Sequence, residues 1–276
     1  AIFADATSVF VHVEREGIYR SDDGGASWME KSAGFFAEGT AAVNAFTHDG
    51  VALFMGGHAG LYRSADNGDT WAPSAGGIRR AHVHTMALSG TSILAGGLHG
   101  IDVSPDGGSS WIRGSAGLGK ARTDGVTSTA SGDLYAAIRG WPGGMDVYRS
   151  VDGGINWTAT ADIPALTWGF AVGALGDTVY VGPGDNADGL WKSDDSGASW
   201  QLVTTPVATV WTIRTYGSDL YIGTGDGASR SADGGLSWET LGPAGFTVTD
   251  VNVVGGDIYV TTTTNGAQAH VTTDGG

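Results

Sequence analysis

Short apolar stretches alternate with polar, glycine-rich breaks along the whole chain, and their length and content predict β-strands. The first unit offers strands at 2–7, 9–13 and 18–21, and a fourth beginning at Trp28. The plan recurs at 43–47, 51–55 and 61–64 before Trp71, and at 83–88, 92–95 and 101–104 before Trp111. It recurs at 126–129, 134–138 and 147–150 before Trp157, and at 170–174, 178–181 and 190–193 before Trp200. The sixth unit has 211–216, 220–222 and 229–231 before Trp238, and the seventh has 248–254, 258–263 and 269–272.

The breaks carry a recurring phrase. GIYRSDDGGASW (17–28) returns as GLYRSADNGDTW (60–71), GIDVSPDGGSSW (100–111) and DVYRSVDGGINW (146–157). It returns again as GLWKSDDSGASW (189–200) and GASRSADGGLSW (227–238), and AHVTTDGG closes the sequence. Asp23, Asp66, Asp106, Asp152, Asp195 and Asp233 are placed to accept hydrogen bonds from nearby backbone N–H groups, as Asp does in turns. The glycine two residues after each Asp supplies the positive φ of a tight hairpin. Trp28, Trp71, Trp111, Trp157, Trp200 and Trp238 each bring a large apolar surface to bury. The first hydroxyl of each copy advances by 43, 40, 46, 43, 38 and 41 residues. A period near forty made of strands and turns predicts the blades of a propeller.

These phrases resemble Asp-box, or BNR, repeats, and the resemblance covers essentially the whole chain. The chain is similar to the propellers of sialidases, xyloglucanases, sortilin-type receptors and photosystem II assembly factors. The resemblance implies an all-β, seven-bladed β-propeller with an Asp-box hairpin between the third and fourth strands of each blade. A single domain over 1–276 is expected, with units at about 1–38, 39–79, 80–121, 122–164, 165–206, 207–245 and 246–276. The last blade reads as incomplete, so the natural chain is expected to extend past either end, or a partner to cover the open edge. The same repeat serves enzymes and binders, so it speaks to architecture more than to function.

Composition narrows the partners. The net charge is −15, with 14 basic and 29 acidic residues, which argues against binding phosphate backbones or an anionic bilayer. The box aspartates account for part of that charge. Cysteine is absent, which excludes disulfides and thiol catalysis. No apolar run is long enough for a membrane helix. Few lysines and the Asp-box resemblance together favour an exported protein: periplasmic, extracellular or lumenal.

In a propeller of this kind the Asp-box turns lie on one rim, and the inter-blade loops and second-to-third loops on the other. The resemblance implies that activity sits on the second face. Residues expected there include Arg80, His82, Arg122, Asp124 and Trp168 from inter-blade loops, and Arg139 and Trp141 from the longest second-to-third loop. His84, Trp211, Asn44 and Asp250 fall at the starts of inner strands. Trp141, Trp168 and Trp211 lie outside the box position and suit either inter-blade packing or stacking on a ligand. Trp191 replaces a strand Tyr and reads as core. His82 and His84 alternate and should share a face. His58 or His99 would have to add a third zinc ligand, so a hydrogen-bonded pair is preferred to a metal site, and no cofactor is expected.

Three functions fit. The first is a non-catalytic binding or assembly propeller, in which Arg80, Arg122, Arg139 and Arg214 offer forked hydrogen bonds to a partner protein's carboxylates. The alternatives are a glycoside hydrolase and a glycan-binding lectin. Hydrolysis needs two carboxyl groups, for which Asp124 and Asp250 are the best pair. The sialidase Arg-Ile-Pro motif is absent, since Ile78-Arg79-Arg80 does not supply it. A lectin with a site in every blade would repeat its aromatic residue, and Trp141, Trp168 and Trp211 do not repeat. The binding or assembly propeller is therefore the expectation, with a place in a larger complex through its incomplete last blade.

Overall fold

The computed structural model describes residues 1–13, 16–35, 42–74, 82–118, 122–139, 145–164, 169–184, 189–206, 208–242, 244–262 and 268–272. They form seven antiparallel sheets arranged as a seven-bladed β-propeller. Six sheets have four strands in sequential order, and the seventh has three among the described residues. The innermost strands are Ile2–Ala4, Val43–His48, Val83–Ser89, Arg122–Ser128, Gly169–Leu175, Val210–Tyr216 and Val248–Val254. Each packs beside the next, and the first packs beside the last, so the ring closes. At the closing seam Tyr259 of blade 7 shares a buried cluster with Ile2, Ala4, Val9 and Val11 of blade 1.

The core lies between blades rather than within one. Second strands are almost wholly buried: Leu134, Tyr135, Ala136, Ala137 and Ile138 all lose nearly all their surface. Such strands read as continuous apolar runs because neighbouring blades cover both faces. Fourth strands are only two or three residues long and mostly exposed, as in Met29–Glu30 and Ala72–Pro73.

The Asp-box turns have one hydrogen-bonding scheme. In blade 5, Ser193 Oγ donates to Asp195 Oδ1, and Gly197 N donates to Ser193 Oγ, both at 2.8 Å. Ser199 donates to Asp195 through its backbone N (2.9 Å) and its hydroxyl (2.5 Å). Blade 4 keeps the scheme with Asn156 Nδ2 in place of the hydroxyl. Two successive residues take positive φ in each of these six turns, one more than the glycine spacing predicts. Asn67 (φ 55°) and Ser196 (φ 62°) occupy the first such position in blades 2 and 5, where the other boxes have glycine.

Four box tryptophans latch their blade to the one before by a hydrogen bond, whereas Trp200 Nε1 is buried with no hydrogen-bond partner among the described residues. Trp71 Nε1 donates to Lys31 O (2.9 Å), Trp157 to Gly114 O (2.8 Å) and Trp238 to Thr204 O (3.0 Å). Trp111 reaches Ser74 Oγ. Trp28 differs: its Nε1 bonds Gly25 O of its own turn, and the side chain remains 38% exposed. The expectation that every box Trp is buried is met by Trp71, Trp111 and Trp157, while Trp200 and Trp238 are half-buried and Trp28 is exposed beside blade 7, which has no fourth strand among the described residues. Trp191 is half-buried and packs against a core cluster shared by blades 4 and 5.

Candidate binding site at the channel mouth

Strands alternate in direction within a blade. Inter-blade loops and second-to-third turns therefore share one face, and Asp-box turns share the other with the first-to-second turns. Near the start of the inner strands, on the first face, the ladder of six blades shifts register by one residue. The extra residues are Asn44, His84, Asp124, Phe170, Trp211 and Thr249. A bulge leaves one residue out of the ladder and re-aims its side chain. In five of the six blades the residue before the bulge is buried at the blade interface: Val43, Val83, Thr123, Val210 and Val248.

A cavity of about 190 Å³ lies at the centre of this ring. Five of the bulge residues line it (Asn44, His84, Asp124, Trp211 and Thr249), together with Arg214 and Asp250. Arg122, Asp124 and Arg139 were expected in loops, but all three belong to strands of blade 4, Arg122–Ser128 and Leu134–Arg139. The bulge explains the difference, because it lets an in-strand residue face the channel. Among loop candidates, Arg80, Trp141 and Trp168 lie outside the described residues.

Both carboxylates are engaged. Asp124, with only 1% of its side chain exposed, accepts from Arg122 Nε on Oδ1 and from Arg139 Nε on Oδ2 at 2.9 Å. Asp250 accepts from Arg214 Nη2 at 2.8 Å and from the backbone N of Ile2 and Val251. Arg122 and Arg214 remain 39% and 49% exposed, so each keeps donor surface towards solvent. Three arginines face two aspartates, leaving a positive excess in a chain whose net charge is −15.

The histidines do not pair as expected. His82 precedes its strand and stacks on His58, with ring centroids 4.7 Å apart and planes 29° from parallel. No group of three or more metal-ligating side chains occurs among the described residues. His84 Nδ1 is buried with no hydrogen-bond partner among the described residues. Burial, followed by the charge of Arg122, pushes the His84 pKa below its ordinary value. Its imidazole is therefore neutral at neutral pH.

Asn44 serves structure first, donating from Nδ2 to Val83 O (2.8 Å) across the blade 2–3 interface. Thr249, Thr85 and Met86 also line the cavity and were missed in the sequence. A signal was present: Val43-Asn44-Ala45, Val83-His84-Thr85, Thr123-Asp124-Gly125 and Val210-Trp211-Thr212 repeat a β-branched residue, a variable one and a small one.

No family model and no curated protein sequence matches the chain. Solved structures match its fold. The extracellular domain of BT4673 from B. thetaiotaomicron, described as a hybrid two-component system, superposes with a TM-score of 0.74 at 14% identity. That match takes in 98% of this chain and 37% of the other. An ancestral GH74 enzyme gives 0.73 at 18% identity, over 98% of this chain and 44% of the enzyme. YCF48 bound to D1 peptide gives 0.74 at 15% identity, over 98% and 91%. The chain thus spans less than half the length of the first two. No helix is long and apolar enough to cross a membrane among the described residues.

Proposed function

We propose that this chain is a non-catalytic binding propeller that holds a segment of a partner polypeptide at the channel mouth, on the face opposite the Asp-box turns. One observation carries the reading: six inner strands bulge at the same level, and five of the residues they turn out line one cavity. A bulge repeated for packing alone would not need a different polar or aromatic residue in each blade. Arg122 and Arg214 supply exposed guanidinium donors that fit carboxylates in forked geometry. Trp211 supplies an aromatic wall. The peptide-bound state of YCF48 supports the reading at the level of fold alone. The extracellular BT4673 domain likewise supports an exported setting.

Glycoside hydrolysis is the second reading, since Asp124 and Asp250 line the same cavity. Its chemistry requires one carboxylic acid with a proton to give and a second free carboxylate. Asp124 already accepts from a guanidinium on each oxygen, and Asp250 is shared among three donors. Binding is therefore favoured. The test is a peptide array probed with the wild-type protein and with Arg122→Ala and Arg214→Ala. Wild type should select acidic peptides, and each variant should lose about tenfold in affinity, the worth of one charged hydrogen bond. Turnover of xyloglucan or a sialoside by the purified protein, abolished in Asp124→Asn, would overturn the proposal.

A further inference from the structure

A second groove, of about 770 Å³, opens on the Asp-box face at the seam between blades 7 and 1. Asp5, Asp22, Asp257, Tyr216 and Tyr259 line it. Sister blades show what its chemistry lacks. In blade 4, Tyr135 faces Arg149 in register, and Arg149 Nε donates to Asp133 at 2.9 Å. In blade 6, Tyr221 faces Arg230, and Arg230 Nε donates to Asp219 at 2.7 Å. Blade 7 keeps the carboxylate and the phenol as Asp257 and Tyr259, but the residue facing Tyr259 is Val271. Asp257 accordingly makes no ion pair among the described residues. Across the seam Asp22 is already paired with Arg20 and accepts from the Ser8 hydroxyl, and Asp5 takes three donors on Oδ1, which leaves Asp257 as the groove carboxylate without an ion pair among the described residues. Burial, with a smaller contribution from Asp257, raises the Tyr259 pKa, so this wall stays neutral.

We propose that this groove is a docking slot for an arginine or lysine side chain of a partner polypeptide, seated where Arg149 and Arg230 sit in the sister blades. A guanidinium there bonds the Asp257 carboxylate and lies beside the Tyr259 ring, a pairing arginine favours. The net charge of −15 steers such a segment towards the protein. The slot opens on the face opposite the channel mouth, so it stands independently of the binding site there.

Calorimetry with an acetylated, amidated Gly-Arg-Gly-Arg-Gly peptide tests it, with a citrulline version as the neutral isostere. Wild type should bind the arginine peptide and not the citrulline one. Asp257→Asn should weaken binding about tenfold or more, as expected for losing a charged hydrogen bond. Asp162→Asn, the same charge change at an exposed position outside the groove, should leave binding unaltered. Val271→Arg rebuilds the sister-blade ion pair from within, so it should abolish peptide binding and raise the melting temperature. Equal binding by wild type and Asp257→Asn, equal binding of the citrulline peptide, or undiminished binding by Val271→Arg would each overturn the proposal.

Discussion

Each box aspartate works as a small acceptor hub, and its titration records that. Hydrogen bonds from the Ser27, Ser199 and Ser237 hydroxyls, then from the same residues' backbone N–H groups, lower the pKa of Asp23, Asp195 and Asp233 to about 2. In the unfolded chain an aspartate titrates near ~3.9. A depressed folded value means the stabilisation is fully present above pH ~4 and is lost as pH falls from there towards 2. Several boxes titrating together should make acid unfolding steep across that window. Asp195→Asn should flatten the slope, as measured by tryptophan fluorescence against pH. A slope unchanged by the substitution would remove the box from the explanation.

At the scale of the hairpin, two contacts join one blade to the next. The first is the tryptophan latch. Trp71 is 3% exposed and bonded to blade 1, so Trp71→Ala should cost roughly 3–5 kcal/mol in urea unfolding. Trp28→Ala should cost well under half of that, because Trp28 bonds only its own turn and is partly exposed. The second contact is the glycine that follows each box aspartate by two positions. A Cβ on Gly68 would stand 2.5 Å from Phe10 Cε1 of blade 1, and one on Gly108 2.5 Å from Phe54 Cε1 of blade 2. Gly68 also has φ 79°. Gly68→Ala should therefore destabilise by about 1–3 kcal/mol through overpacking, with backbone strain added, and guanidinium denaturation would show it. The glycine spacing in the sequence predicts the positive φ. It does not disclose that the same glycine makes room for an aromatic ring some sixty residues earlier in the chain.

Across the whole molecule, the ring separates two chemistries onto two faces. The channel mouth gathers arginines, a neutral histidine and a tryptophan, while the opposite face holds the aspartate-rich turns and the groove at Asp257. The sequence by itself determined the seven units, the strand order, the box turns and the face on which each loop falls. These follow from local alternation, turn chemistry and a fixed period, all of which act between near neighbours. It also pointed to His84, Arg122, Asp124, Trp211, Arg214 and Asp250, all of which meet at the mouth or hold the residues that do. Only the tertiary structure decided that Asp124 sits on a strand bulge between two guanidinium groups, that His82 stacks on His58, and that Asp257 lacks the arginine its sisters have. A bulge is a one-residue slip against a partner strand of the same blade, and the Asp124 ion pairs and the Val271 that faces Tyr259 depend on that within-blade register. The stack of His82 on His58 depends on how two blades meet, so none of these follows from the repeat phrase alone.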